Sequence, residues 1–183
     1  MYNASVWLRR LEPKVRVNWK CFSLTKVNLG DSDEDFWHKP DEKTSRGLWP
    51  FRAVLAAAKQ GESVSNTLIY RLLDAKHKGR LDIDDPEILK GIGQEVCENS
   101  QQFLDDFADR ANLNTLAEQH VDGSVLGIFG TPTVVFGKKN TIFVKMLIPD
   151  VEDDLSLFEN LKSIAHRPYL AEVKKPQPPW PAV

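Results

Sequence analysis

The dipeptide Thr131-Pro132 limits what this chain can fold into more than any other feature. It lies in the stretch GIFGTPTVVF at 127–136, directly after Gly130 and directly before an apolar, β-branched run. Proline has no N–H to give to a sheet ladder, so it belongs at a strand start, an edge or a bulge. The bond before a proline is also the one peptide bond that is inexpensive to set cis. A cis bond here would turn the chain sharply and leave the Thr131 backbone facing outward. The spacing therefore predicts a strand over 133–136 whose first turn presents main-chain groups.

The other sheet-forming signal lies far away in sequence. In VRVNWKCF at 15–22, Val15, Val17, Trp19 and Cys21 alternate with Arg16, Asn18 and Lys20, which predicts a strand with one polar face. Before it, Ala4, Trp7, Leu8 and Leu11 make one helical stripe that Pro13 closes. After the Thr-Pro pair, TVVF and TIFVKML flank GKKN and read as a hairpin. Asp150 is then placed to cap a last helix carrying Val151, Leu155, Phe158, Leu161 and Ala165.

Between these ends the period is helical. Phe51, Val54, Leu55 and Ala58 form a stripe that Gly61 stops. Leu68, Leu72 and Ala75 form a second, closed by Gly79. Asp85-Pro86-Glu87 is a helix start, with Ile88, Ile92 and Val96 following. Asn99 or Ser100 opens a helix with Phe103, Phe107 and Ala111. Asn114 opens another with Leu116, Ala117 and Val121. The predicted order is helix, strand, five helices, two strands, helix: an α/β arrangement in which sheet-forming ends bracket a helical block.

Composition excludes several functions. Of the 183 residues, 42% are apolar and 27% charged, enough for a real core, and the net charge of −2 does not suit a dedicated nucleic-acid or membrane surface. No apolar run approaches the ~20 residues that span a bilayer. The first residues lack the basic and apolar regions of a signal peptide, so a cytoplasmic location is the default expectation. Cys21 and Cys97 form neither a CxxC nor a zinc pattern and read as buried, inert thiols. His38, His77, His120 and His166 are scattered and read as surface or helix-end residues. Lys76, Lys78 and Arg80 read as a solvated helix end. Residues 25–47 read as a loop. Within it Asp31, Asp33, Asp35 and Glu42 have calcium-loop spacing, but Phe36 occupies the position that needs glycine, so a solvated acidic loop is expected and no metal. Trp37 and Trp49 are expected in the core, and the tail containing PQPPWP is expected to be extended.

The pieces VNWKCFSL, RAVLAAAKQG, DIDDPEIL and above all GIFGTPTVVF, taken in this order, resemble the DsbA-like thioredoxin family. The resemblance is nearest to FrnE-type members, which are related to 2-hydroxychromene-2-carboxylate isomerases and kappa-class glutathione transferases. It implies a thioredoxin-like fold with an inserted helical domain: 1–44 and 126–167 thioredoxin-like, 45–125 the insertion, 168–183 a Pro-rich tail. It implies a cis Pro132, with Gly130, Thr131 and Pro132 as the substrate-binding edge. The implied activity is thiol-disulfide exchange on a disulfide-containing or thiol substrate, a polypeptide or glutathione, with no cofactor.

One departure matters. The family's first strand and its CxxC precede the first helix, and here Met1-Tyr2-Asn3 occupies that place. No residue can be assigned as the catalytic thiol, and this form is expected to be inactive. The resemblance leads us to expect that Met1 is an internal methionine of a longer protein. If it is the true start, neighbouring strands or a second chain, as in a homodimer, would have to close the gap. Ser5 lies inside the helix and is not read as the serine of the glutathione-dependent branch. A glutathione-dependent isomerase or transferase and a non-catalytic peptide-binding module are the alternatives.

Overall fold

The computed structural model describes residues 1–30 and 35–174, apart from the side chain of Arg46. Asp31 and Asp33 of the acidic run and the PQPPWP stretch lie outside the described residues. Helix α1 (Tyr2–Leu11) buries Ala4, Trp7, Leu8 and Leu11, the stripe that periodicity predicts. Helices α2 (Leu24–Leu29), α3 (Trp49–Ala58), α4 (Glu62–His77), α5 (Pro86–Val96), α6 (Ser100–Ala108) and α7 (Asn112–Val125) follow. Strands β1 (Thr133–Phe136) and β2 (Asn140–Phe143) make an antiparallel hairpin, with Thr133 opposite Phe143 and Phe136 opposite Asn140. Helix α8 (Asp154–Ala165) closes the fold. Among the described residues this hairpin is the only sheet, so the chain is mostly helical within the α/β class.

The caps follow the chemistry expected of them. The Asp85 carboxylate accepts from the Glu87 N–H at 2.9 Å, with Pro86 in the first turn of α5. The Asn99 side chain accepts from the Gln102 N–H at 3.0 Å, so Asn99, rather than Ser100, caps α6.

Four local readings are corrected. Residues 15–22 alternate in burial but form no strand. A ladder needs a neighbour, and among the described residues none runs alongside. Side chains serve part of that backbone instead: Asn66 Nδ2 donates to the Val17 carbonyl at 3.2 Å, and the Cys21 N–H donates to Gln119 Oε1 at 2.8 Å. The 25–47 segment is not all loop, because Ser23 caps α2 by accepting from the Lys26 N–H, and short 3₁₀ turns follow at Asp41–Lys43 and Arg46–Leu48. Asp150 precedes a 3₁₀ turn, Val151–Asp153, and α8 starts after it. Asn112, not Asn114, is the first residue of α7, whose buried face holds Leu113, Leu116, His120 and Gly123 and leaves Val121 57% exposed.

Among the described residues, three apolar clusters form the core. The largest joins α3, α4, α5 and α6 through Ala53, Ala56, Ala57, Leu68, Leu89, Phe103 and Phe107. A second joins Cys21, Phe36, Leu48, Leu55, Leu113 and Leu116. The third packs Trp7, Leu8 and Leu11 of α1 against Trp19, Met146, Phe158 and Leu161. Helix α3 is central, with helices on several sides, so its buried face is wider than the sequence stripe: Arg52 is buried and Ala58 exposed. The Arg52 guanidinium pairs with Asp41 at 2.9 Å, donates to the Phe107 carbonyl at 3.0 Å and lies over the Trp49 ring at 4.3 Å. These partners offset the cost of burying a cation.

Candidate functional site

The turn before β1 is tightly built. The Thr133 hydroxyl donates to the Gly130 carbonyl at 2.7 Å, and the Val144 N–H donates to the Pro132 carbonyl at 3.0 Å. The Thr131–Pro132 peptide bond is cis. Pro132 is buried, whereas Gly130 and Thr131 are half-buried. Among the described residues, neither the N–H nor the C=O of Thr131 has a hydrogen-bond partner. A half-buried main-chain donor and acceptor left open beside a strand is an edge that can take another strand.

Gly130 is needed for shape. A Cβ there would stand 2.9 Å from Cε2 of Phe143, so with any other residue the ring would have to move off the turn. Phe143 in turn packs on Phe129, with ring centroids 5.3 Å apart. Both rings remain open to solvent, Phe129 at 69% and Phe143 at 41%. They form an apolar shoulder beside Thr131. The sequence reading missed both, because a phenylalanine in a strand or next to one reads first as core.

The first turn of α1 is tied to the segment that follows the hairpin. Asn3 Nδ2 donates to the Met146 carbonyl at 3.0 Å. Met146 lies two residues beyond Val144, whose N–H donates to the Pro132 carbonyl. The Tyr2 ring stacks on His77 at 4.9 Å, and its hydroxyl donates to Asp74 at 3.1 Å. The C-terminal end of α4 thereby packs on the start of α1. Burial first, and then nearby positive charges including Lys76 and Arg80, hold His77 below its ordinary range.

The chain's own nucleophiles are elsewhere. Cys21 is buried in the second cluster, and burial pushes its thiol up to about 12. Cys97 ends α5, is buried, and is also raised by burial. Ser5 is buried and its hydroxyl donates back to the Tyr2 carbonyl at 2.7 Å. Among the described residues no three potential metal ligands converge. Hollows of about 390 Å³ beside Arg10 and Asp154 and of about 210 Å³ beside Trp19 and Cys21 do not include Gly130, Thr131 or Pro132 in their walls.

The family model for the DSBA-like thioredoxin domain matches residues 4–155. The chain belongs to the DSBA-like thioredoxin domain family. That match runs from α1 through the helical block and the hairpin into α8, so it includes the Thr131 edge. No curated protein matches this DSBA-like chain. The family is of the thiol-disulfide oxidoreductase type, and in this DSBA-like chain both thiols are buried away from the edge.

Proposed function

We propose that this chain is the substrate-binding body of a DsbA-family thiol-disulfide oxidoreductase. Gly130, Thr131 and Pro132 form the edge on which an extended polypeptide lies. The observation that carries this reading is the open N–H and C=O of Thr131, on a turn shaped by Gly130 and walled by Phe129 and Phe143. A bound segment would exchange main-chain hydrogen bonds with Thr131 and rest an apolar side chain on the two rings.

Disulfide exchange itself needs a thiolate that attacks one sulfur and expels the other as a thiolate, and a second thiol that resolves the mixed disulfide. This sequence has no CxxC, and Cys21 and Cys97 are both buried. The reacting thiols must therefore come from outside it, and the chain by itself holds substrate without turning it over. The same absence supports a second reading, a peptide-binding module with no redox step.

Amide-resolved NMR of the labelled protein tests the proposal. Adding a short disulfide-containing peptide should shift the Thr131 amide and slow its hydrogen exchange, with smaller shifts at Thr133 and Phe129. Shifts confined to other surfaces, with Thr131 unmoved, would refute it.

A further inference from the structure

We propose that the hollow beside Trp19 is a second polypeptide-docking site, where an extended segment of a partner pairs with the main chain of Trp19. It is independent of the Thr131 edge, since Gly130, Thr131 and Pro132 do not line this hollow.

Residues 15–22 alternate in burial, and among the described residues no strand runs beside them. In an extended stretch both main-chain groups of a residue point to one edge, and the edge alternates from residue to residue. Val17, Trp19 and Cys21 therefore share an edge. Side chains of two helices serve its ends. Asn66 Nδ2 of α4 donates to the Val17 carbonyl at 3.2 Å, and the Cys21 N–H donates to Gln119 Oε1 of α7 at 2.8 Å. Between them, among the described residues, neither the N–H nor the C=O of Trp19 has a hydrogen-bond partner.

The hollow of about 210 Å³ lies at this place, and Trp19, Asn66 and Gln119 all line it. Val54, Leu55 and Ala58 of α3 give it an apolar wall. One open donor and one open acceptor on a single residue match what an extended backbone offers a second extended backbone. The two amide side chains close the edge on either side, so the pairing is one residue long. The volume agrees, because it falls below the ~300 Å³ at which pockets begin to enclose whole small ligands. It suits one residue of a longer chain, with its peptide groups on Trp19 and an apolar side chain on the α3 wall. The same stretch of a second copy cannot supply that residue. There too it forms the wall of a hollow, and two hollows do not fill each other.

The test titrates the labelled chain with N-acetyl-leucine methylamide, a single extended residue with both peptide groups, and follows the amides by NMR. The Trp19 amide should shift saturably, with binding in the millimolar range, and its hydrogen exchange should slow. The same probe methylated on the leucine nitrogen keeps the apolar side chain and loses the donor, so it should bind about tenfold more weakly. Ala58→Phe, at an exposed position on the hollow's wall, should abolish the Trp19 shift. An otherwise unchanged spectrum would show that this variant is folded, and the comparison of the two probes on the wild-type chain stands without it. A Trp19 amide that stays unmoved would overturn the site, leaving a hollow that holds only solvent. Equal binding of the two probes would overturn main-chain pairing, and a shift that survives Ala58→Phe would overturn the hollow as its place. A Trp19 amide that shifts with protein concentration alone would overturn the separate partner in favour of a second copy. The Thr131 platform is read at the Thr131 amide, so its failure and the failure of this site are distinguishable in one spectrum.

Discussion

His120 shows how far one residue's surroundings can differ from its sequence context. It is buried on α7, stacked on Phe22 at 4.6 Å and tilted against Trp37 at 5.4 Å, and among the described residues its Nδ1 has no partner. Burial, and secondarily the charge on Lys26, hold its pKa below the ordinary histidine value. The folded protein therefore favours the neutral ring. As pH falls through about 6.5, the unfolded chain takes up a proton that the folded chain resists, so stability is lost toward acid and is intact above that pH. Denaturant melts at a series of pH values should show this loss, and His120→Phe should remove His120's share of it while keeping the aromatic stack. An identical acid dependence in the variant would rule His120 out as a source. Sequence reasoning placed His120 on the surface because a histidine among polar neighbours carries no mark of the rings that two distant segments bring to it.

At the scale of elements, the contact between α5 and α6 depends on one glycine. A Cβ on Gly93 would lie 2.0 Å from the Phe103 ring, which is fully buried. Alanine normally stabilises a helix interior by about 1 kcal/mol relative to glycine. Here the clash dominates, and Gly93→Ala should cost about 1–3 kcal/mol. Gly91, in the same helix, has nothing within 4 Å of its would-be Cβ, so Gly91→Ala should stabilise by about 0.5–1 kcal/mol. Denaturant midpoints of the two variants decide it: shifts of the same sign would contradict this account of the interface. The helices themselves were legible, since α5 and α6 begin at the capping residues Asp85 and Asn99. The strand expected at 15–22 was not, because alternation reports which side chains face inward and says nothing of whether a partner strand is present.

For the whole molecule, the two thiols report on packing. Cys21 belongs to the cluster that ties Phe36 and Leu48 to α3 and α7, and Cys97 to the cluster formed by α3, α4, α5 and α6. Both are buried with raised pKa values, so at pH 8 neither offers an appreciable thiolate. A chromogenic disulfide reagent should label neither in the native protein within minutes and both in denaturant. Rapid native labelling of either would show that its cluster opens readily or is misplaced. The expectation of inert thiols came from the absence of any spacing that could hold a metal or form a redox pair. That they belong to two separate clusters could not be read from the chain.

The amino-acid sequence by itself determined the helical periodicities, the caps at Asp85 and Asn99, the hairpin and the turn that exposes Thr131. Each of these depends on forces acting within a few residues: steric limits on backbone angles, main-chain hydrogen bonds to nearby side chains, and the absence of an N–H on proline. The tertiary structure decided which faces were buried. It placed Arg52 and His120 inside, brought Phe143 over Gly130, and carried the end of α4 to the start of α1. Those outcomes depend on contacts between residues tens to more than a hundred positions apart, whose energies arise from burial and packing and leave no local pattern in the chain.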